Sequence, residues 1–139
     1  MKKILFTVIL LISVAYAQKM KYVVAYCTLQ ATNGIRDTVF NGSGGSITIF
    51  ADLDAKTINF DWKTPDYSTI KKYTIVKSNI KKEEIYTTMG IYSIFLNCKN
   101  KDGKDCTVEI AISERINKID FVVVDGSFVL NYSAVEVNL

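Results

Sequence analysis

The chain has 139 residues, a formal net charge of +3, three cysteines, one tryptophan, eight tyrosines and no histidine. So small a charge excess argues against a nucleic-acid-binding surface. The missing histidine removes the commonest general base, the commonest metal ligand and every serine–histidine or cysteine–histidine nucleophile.

The first segment, "MKKILFTVILLISVAYA", has the pattern of a cleaved secretory signal, residues 1–17. Lys2 and Lys3 supply the positive start, Ile4 to Val14 are apolar apart from Thr7 and Ser13, and Ala15-Tyr16-Ala17 gives the small-x-small cleavage site. The apolar run falls short of the ~20 residues of a membrane span; a retained N-terminal anchor is the alternative. A lipid anchor needs a cysteine directly after the cut, and the first cysteine is Cys27. The mature chain is expected to run from Gln18 as a single β-rich domain, 18–139, exported to the periplasm or the extracellular space, with no integral membrane segment. Without Lys2 and Lys3, 15 basic residues face 14 acidic ones, a net charge of +1.

Beyond Lys19 the apolar residues alternate with period two, the signature of half-buried strands. The expected strands are Met20–Gln30, Ile35–Phe40, Ser46–Ala51, Thr57–Trp62, Lys71–Lys77, Gly90–Asn100, Lys104–Ile112, Lys118–Val124 and Ser127–Val137. Turn signals lie between them: Asn33-Gly34, the cluster "NGSGG" at 41–45, Asp52–Ala55, Pro65-Asp66, Asp102-Gly103 and Asp125-Gly126. Ser78–Thr88 reads equally as a short capped helical turn or a charged loop. The fold class is all-β, an antiparallel meander of about eight strands forming a small barrel or sandwich.

Two hairpins predict their registers. A two-residue Asp125-Gly126 turn of type I′ sets Val123 opposite Phe128, Phe121 opposite Leu130 and Ile119 opposite Tyr132, an apolar face. In "NCKNKDGKDC", residues 97–106, a three-residue loop ending in a left-handed Gly103 sets Leu96 opposite Val108, Ile94 opposite Ile110 and Tyr92 opposite Ile112. A two-residue loop instead sets Leu96 against Glu109 and mixes apolar with charged residues. In the segment from Ser46 to Trp62, Ile47, Ile49 and Ala51 share one face, as do Ile58, Phe60 and Trp62.

The cysteine segment admits three chemistries. As a calcium loop it places a thiol where a carboxylate is needed. As a redox pair it lacks the C-x-x-C helix start that activates a thiol. As a clasp it places Cys98 directly opposite Cys106, and an exported chain meets an oxidising compartment. A Cys98–Cys106 disulfide is therefore expected, worth about 2.5 kcal/mol by loop closure, although a hydrogen-bonded site makes it hard to fit. Cys27 bonded to one of them, or three buried thiols, are the alternatives. Cys27 shares an apolar parity with Val23, Ala25 and Leu29.

From Tyr92 to Val137, a cysteine, a D-G turn, a second cysteine and alternating strands ending in one that bears a tyrosine follow each other. This run resembles a group of small exported proteins of Bacteroidetes. The resemblance implies exported β-rich architecture and no catalytic role.

The remaining clusters are weighed by their chemistry. Asp52, Asp54, Asp61 and Asp66 can be read as carboxylates of a glycoside hydrolase or as solvated turn residues. Lys71-Lys72 and Lys81-Lys82, with Tyr67, Tyr73 and Tyr86, can be read as a base-stacking surface or as edge-strand lysines. No catalytic residue, cofactor or metal is indicated. The expected function is non-catalytic binding of a small apolar ligand in a barrel, with Trp62, Tyr67, Tyr73 and Tyr86 as candidate binding residues. The alternative is a surface module contacting a protein or glycan through loops; a carboxylate hydrolase comes third.

Overall fold

The computed structural model describes residues 19–31, 34–52, 54–81, 91–113 and 118–137. The expected signal, residues 1–17, lies outside them. Their regular elements are nine strands: β1 (Lys19–Gln30), β2 (Arg36–Phe40), β3 (Ser46–Asp52), β4 (Thr57–Lys63), β5 (Ser68–Lys81), β6 (Ile91–Lys99), β7 (Asp105–Ser113), β8 (Lys118–Asp125) and β9 (Phe128–Val137). All pairings are antiparallel, in the order β2-β1-β3-β4-β5-β6-β7-β8-β9, and β1 also pairs with β9. Strands β1 and β3 to β9 thus close an eight-stranded barrel, which leaves no free first or last strand.

β1 holds this closure together. One edge bonds β9 along most of its length; the other bonds β3 through Lys19–Val23 and β2 through Cys27–Gln30. The register with β9 shifts between Val24 and Tyr26, which makes Ala25 a bulge. Tyr22 and Val24 point inward before it and Cys27 after it. The expected common face of Val23, Ala25, Cys27 and Leu29 is therefore corrected: one extra residue flips the parity mid-strand.

Alternation along β3 and β4 turns Ile47, Ile49, Ala51, Ile58, Phe60 and Trp62 inward, as their spacing predicts. The barrel centre is filled by side chains. Phe60, Phe121 and Tyr132 are fully buried. Phe60 lies 4.6 Å from Tyr132 and 6.2 Å, edge-on, from Phe121. Tyr22 meets Phe121 at 5.0 Å. Such edge and tilted contacts stabilise the core beyond the area they bury.

The β6–β7 hairpin adopts the register expected for a three-residue loop. Cys98 faces Cys106 and Leu96 faces Val108. Gly103 N–H donates to Asn100 O at 3.0 Å, and Gly103 takes φ +75°. Asn100 Oδ1 accepts from Asp102 N at 2.9 Å and from Lys104 N at 3.0 Å, so one side chain satisfies the turn. The disulfide is not there. Cys27, Cys98 and Cys106 are buried free thiols. Asn100 N bonds Lys104 O, so by alternation Cys98 and Cys106, two positions inward, occupy a hydrogen-bonded pair. The side chains stand farther apart there than in a non-hydrogen-bonded pair, and a cross-strand bond is harder to fit.

Two more expectations change. In β8–β9, Asp125 faces Phe128, Val123 faces Leu130 and Phe121 faces Tyr132. The turn is Gly126-Ser127, not Asp125-Gly126. Gly126 has φ +62°, and Lys56 is the sole non-glycine with positive φ among the described residues. Positive φ at the first central position alone is the type II′ pattern, which favours glycine there. The slide is two residues, so both faces keep their composition. β5 is also longer than expected. Residues 68–74 pair with β4 and 74–81 with β6, and the β6 register shifts between Ile75 and Lys77. Ser78–Lys81 is strand, which removes the helical reading for those four residues; 82–88 lie outside the described residues.

Candidate functional site

The antiparallel order gathers the β1–β2, β2–β3, β4–β5, β6–β7 and β8–β9 connections at one end of the barrel. A cleft of about 770 Å³ opens there, a volume usual for small-molecule sites. Leu29, Phe40, Trp62, Tyr73 and Leu130 contribute its apolar walls, with Phe128 and Tyr67 at the rim.

Each wall has a local cause. Trp62 is the last inward residue of β4, only 5% exposed. Its Nε1–H donates to Tyr132 Oη at 3.2 Å, so the indole nitrogen is satisfied while the ring edges the cleft. The β4–β5 turn follows at once. Thr64 N donates to Tyr67 O at 2.9 Å, and Thr64 Oγ1 caps the same carbonyl at 2.8 Å. Pro65 presets φ for the first central position of that turn. Tyr67, 46% exposed, is thereby stood edge-on to Trp62 at 5.5 Å.

Tyr73 is buried on β5, and its hydroxyl donates to Asp125 Oδ2 at 3.2 Å. Asn100 Nδ2 donates to the other oxygen of Asp125 at 3.0 Å. Burial and the neighbouring Asp125 carboxylate push the Tyr73 phenol well above its ordinary range. Tyr132 is raised too, by burial first. Both phenols stay neutral at physiological pH, Tyr73 as a donor to Asp125 and Tyr132 as the acceptor for Trp62.

Lys71 faces Phe60 across β4–β5. Directly opposed residues share a sheet face, so Lys71 points inward with Tyr73, while Ile70 and Lys72 point out. Its Nζ lies 5.7 Å from the Tyr67 ring centre. Among the described residues it makes no ion pair.

The lip of the cleft is the β2–β3 loop. Gly45 has φ +155°, and a Cβ there would stand 2.3 Å from Lys63 O and 2.8 Å from Thr64 Cα. Only glycine allows the loop to lie on the β4–β5 corner. Asn41 Oδ1 accepts from Ser43 N at 3.2 Å and from Ser43 Oγ at 2.7 Å, which closes the loop on itself.

Of the residues singled out in the sequence, Trp62, Tyr67 and Tyr73 line this one cleft; Tyr86 lies outside the described residues. Asp52 and Asp54 flank the β3–β4 turn at the opposite end. Asp61 faces outward beside Lys63, with Nζ and Oδ2 3.4 Å apart, and Asp66 sits on the β4–β5 turn. These aspartates do not meet in one cleft. Among the described residues no three His, Cys, Asp or Glu side chains converge to hold a metal. The thiols are buried: burial pushes Cys27 and Cys98 up to about 12, and burial with the neighbouring Asp125 and Asp105 carboxylates pushes Cys106 to about 11, values at which a thiol is inert.

Sequence reasoning missed Leu29, Phe40 and Leu130 as site residues, and grouped Lys71 with Tyr67 and Tyr73 only as a base-stacking surface or an edge strand. Lys71 was legible in one respect, since it has the parity of Tyr73; its inward direction follows only once β4 and β5 are registered. The fold and site define a closed eight-stranded barrel with an amphipathic end cleft. No family model, curated protein or solved structure matches the chain.

Proposed function

We propose that the chain is an exported, non-catalytic binding domain whose barrel end holds a small, largely apolar ligand. The observation that carries this reading is the cleft of about 770 Å³ walled by Leu29, Phe40, Trp62, Tyr73 and Leu130. The ligand sits at the mouth, because the centre is packed solid around Phe60 and Tyr132. The lack of histidine and the separation of the aspartates support a non-catalytic role.

Trp62 is the sole tryptophan, so it reports on the cleft directly. Titration with the neutral probe N-phenyl-1-naphthylamine is expected to quench Trp62 saturably and raise probe emission. Phe128→Glu, at a rim position 52% exposed, should weaken that binding without unfolding the chain. Absence of saturable binding removes the reading. Export is tested separately: protein recovered outside the cytoplasm should begin at Gln18, and intact chain retained in the cytoplasm refutes it.

A second reading, contact with a protein or glycan through loops, draws on Ile35, Tyr67 and Phe128, which stand exposed around the same end. Capture of a partner by the wild type and loss of capture by Tyr67→Ser would favour it over the small ligand.

A further inference from the structure

Within the cleft one group is out of keeping with its surroundings. Lys71 projects inward from β5, beside Tyr67 and opposite Phe60, on a wall that is otherwise mostly apolar. A lysine on an interior face is costly unless its charge is matched. The two carboxylates lining the same cleft do not match it. Neither forms an ion pair with it among the described residues: Asp125 is held in place by Tyr73 and Asn100, and Asp66 is an exposed turn residue. The Lys71 charge is nonetheless felt in the interior, where it acts on the fully buried thiol of Cys27.

The wall beside Lys71 is also open. β6 ends at Lys99, opposite Thr74, so residues 68–73 of β5 run past it without a partner on that edge. A small groove of about 130 Å³ lies there, and Tyr67, Lys71, Tyr73 and Asp125 line both it and the main cleft. The ammonium group thus stands where an apolar chamber meets a water-accessible gap. That is the position for the polar head of an amphiphile whose tail lies within.

We propose that the cleft takes a free single-chain amphipathic carboxylate, its head on Lys71 and its tail against Leu29, Phe40, Trp62 and Leu130. This rests on the binding reading above and adds the charge and shape of the ligand. The aromatic lining alone would also suit a cation. Lys71 already occupies the neighbourhood of the Tyr67 ring, and a cationic head would meet it with like charge.

The experiment displaces N-phenyl-1-naphthylamine from the whole protein with three ligands of equal chain length: decanoate, 1-decanol and decyltrimethylammonium. Decanoate is expected to displace at about tenfold lower concentration than decanol, the size of one charge-assisted contact, and the ammonium ligand is expected to be weakest. Lys71→Met should lose the preference of decanoate over decanol, each measured against that variant's own probe titration, and Lys71→Arg should keep it. Equal displacement by decanoate and decanol, preference for the ammonium ligand, or a preference that survives in Lys71→Met overturns the carboxylate assignment and leaves the apolar site standing. Failure of the wild type to bind the probe overturns both. Vesicles of phosphatidylglycerol serve as a further arm: binding to them without displacement of the probe by decanoate would move the site from a free acid to a membrane surface and overturn the proposal.

Discussion

Replacing Tyr132 by phenylalanine removes one oxygen from a fully buried ring and leaves Trp62 Nε1–H, 3.2 Å away, without its acceptor. The ring contacts with Phe60 and Trp62 remain, so the cost is almost wholly the unsatisfied donor. A buried donor left unpaired costs about 1–3 kcal/mol. With a urea slope of about 2 kcal/mol per molar, a loss of ~2 kcal/mol lowers the unfolding midpoint by about 1 M and leaves the slope unchanged. Urea unfolding followed by far-ultraviolet circular dichroism measures this in any background. In a Trp62→Phe background the donor is gone, and Tyr132→Phe should be nearly neutral. An equal cost in both backgrounds, or no cost in either, would refute the assignment of this hydrogen bond as the link between cleft and core.

Three other outcomes are expected. Gly45→Ala forces a Cβ into the Lys63 and Thr64 backbone; it should cost about 1–3 kcal/mol and reduce probe binding by lifting the lip, and an unchanged melting temperature would argue against that contact. Asn100→Ala removes the one oxygen that accepts both turn hydrogen bonds and one donor to Asp125, for a loss of about 1–2 kcal/mol, read as a lower unfolding midpoint. The three thiols should resist a disulfide reagent in the folded chain and all react in denaturant; a chain that takes up only one alkyl group in denaturant without reductant would instead reveal a bond. Their values, raised from the ordinary 9.0 to about 12 for Cys27 and Cys98, also set a pH dependence. The folded chain keeps thiol protons that the unfolded chain sheds. The stabilisation is therefore full below pH about 9 and is lost as pH rises toward about 12. Stability that rises over that window would contradict the burial.

The fold was legible where turn chemistry and alternation are local. All nine strands follow from period-two runs, and Gly103 with its three-residue loop places the β6–β7 register to the residue. The β8–β9 faces were legible, but not the register, because a shift of two residues leaves both faces apolar and polar as before. The bulge at Ala25 leaves no local mark: Val23, Ala25, Cys27 and Leu29 form a smooth apolar series, and only closure against β9 breaks it. The site was legible in its aromatic residues and illegible as a site. Leu29 and Leu130 lie at opposite ends of the chain order, and only the β1–β9 pairing makes them neighbours. Lys71 looks like any edge-strand lysine until β4 fixes its direction.

The β1–β9 pairing has a consequence in time as well as in space. The first strand of the barrel finds its main partner in the last, so the chain must be almost fully available before the ring can shut. Until then both β1 and β8 present unpaired edges able to recruit other chains. Joining strands this far apart in sequence is slow, because the entropy of the long loop is lost before the contacts that compensate it form. The segment Phe128–Val137 therefore acts as a keystone laid last. A chain lacking those ten residues would keep most of its local hairpins and still be unable to hide its edges.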